Sequence, residues 1–500
     1  MEIFSSLECF SWASLKMEAT LVIFAVVTLL ATVMLPKNFN RFISIIAFLG
    51  MYIALAINFV YPYNINELSQ NQGCIVPTDI LALKDILPPN NVYGCLIVIC
   101  AILSSQMSFH FFNKLGKDEY RNEFISLIMI CAAALIVFGR SENLMLSFVA
   151  LETATICLYI LASFNKDCSS SLEAGVKYLI IGGVSGAILL LGMAFIYGAG
   201  KLAGVDFMYF GNFSVGLLNN FFLIGFILVL AGIFFKLAAF PFQFWAPDVY
   251  QGAPTAVSAL FAVASKIAGV VFLAKIFVCL KFDSAELVVV RDNILFGVSV
   301  IAGMTIIIGN FGGITQLRTK RLMAFSGISN AGYLLVLLVA VLAQPKNLET
   351  FDSVLYFYLG AYLFANYALF FAINQFNGSD ESLQSMQDYR GLMRRNPVVA
   401  SSLTICLASL AGIPPTAGFF GKVLILILAW YAELYTLIAI MILGSAVSIY
   451  YYFAWIRAML EKAEGKETEF VLSTSSRQTI IMLSIAVIIV SFAVFPLIGI

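Results

Sequence analysis

Five lysines and one glutamate sit inside hydrophobic spans of a chain that otherwise keeps its charges in loops: Glu152, Lys177, Lys236, Lys266, Lys275 and Lys422. A charged group at the centre of a membrane helix costs about 2.5–3.5 kcal/mol, so its presence there points to ion or proton handling. A lysine in a dry site gives up its proton readily, and a nearby carboxylate restores the charge. Moving that carboxylate a short way therefore decides whether the amine holds a proton.

The six positions differ in depth. Glu152 lies near the middle of its span. It reads either as a structural ion-pair partner or as the acid that sets the proton affinity of a neighbouring amine. Lys236 is the leading candidate, because the break at Pro241 offers it water. Lys266 is near the centre of the span at 253–281, and Lys422 follows Pro414 and Pro415 by about two turns. Lys177 is about one turn into its span, where it either extends to the headgroups or faces Glu152. Lys275 follows Lys266 by two and a half turns, on the opposite helix face and near the span end. Its expected role is to snorkel outside the path. Lys236, Lys266 and Lys422 thus suggest a row of protonatable groups along the midplane, with Ser265, Thr255 and Asn330 as anchors for linking waters.

The positioning elements follow from composition. The 500 residues are 61% hydrophobic and 11% charged, against the roughly 25% charged residues of soluble domains. Apolar runs of about twenty residues, each able to cross about 30 Å of hydrocarbon, recur from end to end. They predict an all-α polytopic membrane protein of about fourteen transmembrane helices with no soluble domain. Zero net charge offers nothing to nucleic acid. The nine cysteines are scattered without CxxC spacing, and the single histidine, His110, cannot build a haem or zinc site. Residues 312–321 form a turn without a nucleotide motif. Tyr450–Phe453 and Trp455 read as an interfacial aromatic belt. The N-terminus shows no signal peptide.

Loops after odd-numbered spans carry sixteen Lys and Arg, including Lys114, Lys117, Arg318, Lys320 and Arg321; the opposite side carries seven. That bias places the odd-span loops in the cytoplasm and both termini outside. Two spans are interrupted: the seventh at Phe240-Pro241 and the twelfth at Gly412-Ile413-Pro414-Pro415. Proline removes a helix hydrogen bond that lipid cannot replace, so each break must face protein or a wet cavity. Each lies near one lysine. The spans are five apart and so run in opposite directions, as in two inverted five-helix repeats with discontinuous helices 7 and 12.

At these residues the chain resembles the N-subunit family of bacterial NADH–quinone oxidoreductase, respiratory complex I. The resemblance rests on Phe235-Lys236-Leu237 through Phe240-Pro241-Phe242, on Phe244-Trp245-Ala246-Pro247-Asp248-Val249-Tyr250-Gln251-Gly252-Ala253-Pro254-Thr255, on Lys320 to Ser326 with Ala331-Gly332-Tyr333-Leu334, and on Ser409 to Lys422. It spans roughly residues 120 to 460. It implies an antiporter-like membrane-arm subunit that takes part in proton translocation, with helices 1–3 at 1–120, repeats at 121–285 and 286–460, and a last helix at 461–500. Glu152 matches the family's glutamate on helix five. Lys177, Lys236, Lys266 and Lys422 match its lysines on helices six, seven, eight and twelve. The resemblance further implies no cofactor on this chain: NADH, FMN, iron–sulfur clusters and quinone belong to partner subunits. The partners are other membrane-arm subunits and the bilayer, and the place is the bacterial inner membrane. Lysine at 422, where sister subunits can carry glutamate, favours the N type. Asn330 stands where the family often has histidine, so a proton step there must use water or another group.

Three rival readings remain at the level of sequence. A free-standing or Mrp-type cation/proton antiporter would need no redox partner, but sodium favours several buried carboxylates. A membrane subunit of a related hydrogenase, or a structural scaffold, would keep the same helices.

Overall fold

A computed structural model describes residues 15–60, 92–217, 219–280, 285–344, 348–375, 381–462 and 473–493. Nearly all of the proline-containing loop at 61–92, and the middle of the hydrophilic connection at 457–477, lie outside them.

A segment in lipid must satisfy its own backbone, which a helix does. Among the described residues there are accordingly helices and two isolated bridges, Asn143–Tyr209 and Arg318–Ser385. The first seven spanning helices are α1 (Lys16–Met34), α2 (Asn40–Val60), α3 (Val92–Leu115), α4 (Arg121–Arg140), α5 (Leu144–Ala162), α6 (Ser169–Ala203) and α7 (Asn220–Leu237). A short helix α8 (Trp245–Gly252) leads into a span made of α9 (Thr255–Ala262) and α10 (Ala264–Cys279). Then follow α11 (Ala285–Ile314), α12 (Thr319–Ala343), α13 (Leu348–Asn374), the pair α14 (Pro397–Ala411) and α15 (Ala417–Tyr431), α16 (Tyr435–Leu460) and α17 (Thr474–Phe492). Among the described residues 13 spans are long and apolar enough to cross a membrane. The divided α14–α15 segment makes the fourteenth crossing, in agreement with the hydropathy reading.

Burial sorts these spans. The span α9–α10 is 100% buried and α12 is 94% buried, whereas α1, α2, α16 and α17 turn most of their surface outward. The helices that carry Lys266 and Asn330 therefore form the centre of the bundle. Close packing needs small residues where helices touch. At the α6–α7 crossing a Cβ on Gly192 would lie 2.7 Å from the Gly225 oxygen, and one on Gly225 would lie 2.6 Å from the Gly192 oxygen. Only hydrogen fits at either position.

Both expected interruptions are present. α7 ends at Ala238 in the left-handed region, φ 54°, before Phe240-Pro241. α14 ends at Gly412, φ 82°, before Pro414-Pro415. A third break was not legible: α9 stops at Ala262 and α10 resumes at Ala264, around Val263 at φ −116°, ψ −65°. Neither glycine nor proline marks it. The aromatic belt expected at 450–455 is a correction. Tyr450 and Phe453 are exposed, but Tyr451, Tyr452 and Trp455 are fully buried. Every third or fourth side chain of that helix faces the core, so one run serves both surfaces.

Candidate functional site

The three breaks coincide with Lys236, Lys266 and Lys422. Lys236 is the penultimate residue of α7. Its Nζ donates to Thr155 Oγ1 on α5 and lies 5.6 Å from the centre of the Tyr178 ring. The opened backbone is satisfied by protein: Trp245 Nε1 donates to the Phe235 oxygen at 3.1 Å, and the Phe240 amide donates to Thr305 Oγ1 at 2.9 Å.

Lys266 follows the unforeseen break at Val263. Tyr362 Oη donates to the Ala262 oxygen at 3.1 Å, closing that break. The Lys266 ammonium rests against Gly327 of α12, where a Cβ would be only 2.5 Å from Nζ, and finds no hydrogen-bond partner among the described residues.

Lys422, on α15, turns back to the end of α14. It donates to the Leu410 and Ala411 oxygens at 2.9 and 3.1 Å, with Nζ 5.0 Å from the centre of the Tyr333 ring. The last carbonyls of a helix carry partial negative charge, which suits an ammonium.

One helix joins two of these lysines. Lys266 meets α12 at Gly327 and Lys422 meets it at Tyr333, six residues or about 9 Å along the axis. Asn330 lies between. Its Nδ2 donates to the Ser326 oxygen at 2.8 Å and its Oδ1 accepts from Tyr358 Oη at 2.6 Å. Ser326 in turn bonds Tyr452. Asn330 is thus an amide inside a hydroxyl-rich network.

Glu152 makes no structural ion pair, the first of its two sequence readings, among the described residues. Its Oε1 sits against Gly186 of α6, buried and without a hydrogen-bond partner among the described residues. No ion pair joins it to Lys236 among them, although its charge acts on that amine. Tyr159 and Tyr178, edge to face at 4.9 Å, bring two more hydroxyls without a hydrogen-bond partner among the described residues.

Lys177 does not face Glu152. It is half-exposed and pairs with Glu173 at 2.7 Å and Asp248 at 3.0 Å. Arg321 holds the other Asp248 oxygen at 2.6 Å. These side chains, with Arg318 and Gln316, line an open cavity of about 650 Å³. Lys177 is near its span end, so the headgroup-side alternative is the one realised. Thr255 and Lys275 also depart from expectation. Thr255 is bound to a carboxylate rather than free to anchor water. Lys275 does not snorkel: it is 1% exposed and donates inward to backbone.

The carboxylate on Thr255 is Glu381, from the connection between α13 and α14, which sequence reading passed over as a loop charge. Its Oε2 accepts from Thr255 Oγ1 at 2.5 Å and from Lys320 Nζ at 3.2 Å. Lys320 is buried, at 2% side-chain exposure, and Glu381 is largely covered, at 12%. Burial alone would raise the Glu381 carboxyl. The Lys320 and Lys114 charges, with the hydrogen bonds from Thr255 and Lys320, outweigh it and hold the carboxyl below its ordinary range. A depressed folded-state pKa stabilises the fold above the unfolded value and stops doing so as pH falls through the folded one. Two outcomes are expected. The intact protein should lose this contribution only in acid, below the ordinary carboxylate range. Glu381→Ala should lower thermal stability by about 3–5 kcal/mol at neutral pH by stranding buried Lys320. A Glu381→Ala/Lys320→Met double variant that melts no higher than the single one would contradict this.

Comparison with known proteins places this arrangement. Residues 141–448 match the family described as NADH:quinone oxidoreductase/Mrp antiporter, TM. The chain belongs to this family. Among curated members, NADH-quinone oxidoreductase subunit N 1 of Opitutus terrae is 37% identical, over 89% of this chain and 86% of its own. NADH-quinone oxidoreductase subunit N of Brevibacillus brevis is 32% identical, over 97% and 93%. A chain of respiratory complex I from Thermus thermophilus superimposes with a TM-score of 0.73 at 25% identity, covering 96% of this chain and 97% of that one. A chain of the Mrp complex from Dietzia shares the fold, with a TM-score of 0.70, 17% identity, and 96% and 95% coverage. The family resemblance read from the sequence motifs therefore holds, and with it the antiporter-like membrane-subunit class. Among the described residues no His, Cys, Asp and Glu group is disposed to hold a metal ion.

Proposed function

We propose that this chain is a proton-translocating membrane-arm subunit of an NADH–quinone oxidoreductase, with electron transfer carried by cofactors on partner subunits. The carrying observation is that Lys236, Lys266 and Lys422 each sit at a helix break inside the bundle. A break opens backbone that must face protein or water. A buried ammonium with few acceptors is an expensive charge. The two features together suit amines that alternate between charged and neutral forms.

In this reading Lys236 exchanges its proton under the influence of Glu152. Lys266, next along the seam, relays it, and Lys422 serves the far end through the Ser326, Asn330 and Tyr358 network. Lys177 belongs to the charged cavity at the mouth and acts on Asp248 rather than on Glu152. Buried polar atoms are as a rule hydrogen-bonded. The unpartnered Glu152, Tyr159, Tyr178 and Lys266 atoms therefore mark where water joins the path. The charge bias of the loops puts the charged cavity on the cytoplasmic side and both termini outside. Each proton moved against 100 mV requires about 2.3 kcal/mol, which quinone reduction elsewhere in the complex must supply.

The test is mild-detergent purification by a tag on this chain, identification of the co-purifying subunits, and reconstitution into vesicles. The expected result is a set of NADH–quinone oxidoreductase subunits and NADH-dependent proton translocation. Recovery with Mrp-type or nickel–iron partners, or a sodium-dependent pH change without NADH, would overturn the assignment.

A further inference from the structure

Lys275 has no place in the row described above, yet its setting repeats that of Lys422. It is fully buried on α10 and its Nζ donates to the backbone oxygens of Arg140 and, at 3.1 Å, Ser141. These close the C-terminal end of α4, just as Leu410 and Ala411 close α14 under Lys422. In both places a buried amine faces two consecutive carbonyls at the negative end of a helix. Neither amine has a carboxylate ion pair among the described residues.

Arg140, whose backbone oxygen accepts from Lys275, links that amine to a buried carboxylate. The Arg140 guanidinium donates to Glu18 Oε1 of α1. Glu18 is 3% exposed, and its second oxygen, Oε2, has no hydrogen-bond partner among the described residues. Arg140 itself, at 14% side-chain exposure, is the member nearest the surface. Glu142, next to Ser141, is the carboxylate whose charge acts on Lys275 directly, while Glu18 is tied to the cluster through Arg140. About one turn back along α10 from Lys275, Phe272 stacks on Phe138 with ring centres 4.3 Å apart.

We propose that Lys275 and Glu18 form a further proton-handling station at this end of the bundle, resting on the reading that the chain translocates protons. An N–H bond of the Lys275 ammonium breaks, and its electron pair stays on nitrogen. The proton passes through water to the open Oε2 of Glu18, where an O–H bond forms. Neutral Glu18 relaxes its hold on Arg140 and releases the proton to the aqueous face, which restores the carboxylate. Lys275 regains a proton from the interior. The alternative is a clamp that only ties α1, α4 and α10 together.

The experiment measures NADH oxidation and protons translocated per NADH in the reconstituted whole complex. Lys275→Arg keeps the charge and the carbonyl bonds but holds its proton, and Glu18→Gln keeps an acceptor for Arg140. Either variant, once assembled, should oxidise NADH at the unaltered uncoupled rate and translocate at least about threefold fewer protons per NADH. Full translocation by either assembled variant overturns the proposal. Failure of both to assemble identifies a clamp and overturns it as well. Lys236→Met, measured in parallel, separates the two levels. If it abolishes translocation while the other variants keep it, the station alone falls. If it too translocates normally, the proposed function falls.

Discussion

Lys236→Met should cut the protons translocated per NADH about tenfold or more, while uncoupled NADH oxidation continues. Methionine matches the length of the lysine stem and is at ease among Tyr178, Phe235 and Trp245, so packing is preserved. What disappears is the one amine between Thr155 and the Tyr178 ring. Glu152 then has no partner whose charge it can tune. Thr155→Val is the milder companion. It removes the hydroxyl that holds the ammonium and should slow translocation without abolishing it. Vesicle acidification with a pH-sensitive dye, alongside NADH absorbance, reads both quantities. Unchanged coupling in Lys236→Met would leave a structural scaffold as the better account.

The second large effect belongs to Lys422, where structure and proton handling overlap. Its ammonium is the cap on the Leu410 and Ala411 oxygens at the α14–α15 break. Lys422→Met leaves two buried carbonyls without donors, at about 1–3 kcal/mol each. It should lower both the amount of assembled complex and its translocation. Lys422→Arg restores donors and charge but holds its proton. It should assemble well and still fail to translocate. The pair of variants separates the cap from the carrier, by membrane abundance on one axis and protons per NADH on the other. An arginine variant that assembles and translocates normally would remove Lys422 from the path.

Much of this was legible because membranes make charge conspicuous. A lysine in a run such as Ile233-Phe234-Phe235-Lys236 has few innocent explanations, and Pro241 or Pro414 announces a break wherever lipid forbids one. The break at Val263 was not legible, because its cause is tertiary: Tyr362 offers the Ala262 oxygen a donor from another helix. Glu381 was missed because loop carboxylates are common, and nothing local says that this one is buried on Lys320. Lys275 was misjudged for a related reason. Depth along a helix suggests snorkelling, but the α4 carbonyls that hold the amine lie 134 and 135 residues away in sequence. For Lys177, a place near a span end left both snorkelling and a pairing with Glu152 open, and the structure gives it Asp248, which Arg321 also holds.

The account stands or falls on whether the buried amines change protonation during turnover. Infrared difference spectra of the reconstituted complex, recorded on NADH addition with and without ¹⁵N-labelled lysine, read that change directly. The account predicts isotope-sensitive ammonium bands that shift on turnover and are lost in Lys236→Met, Lys266→Met and Lys422→Met. Spectra in which no lysine band responds to turnover, in a complex that is translocating protons, would contradict it.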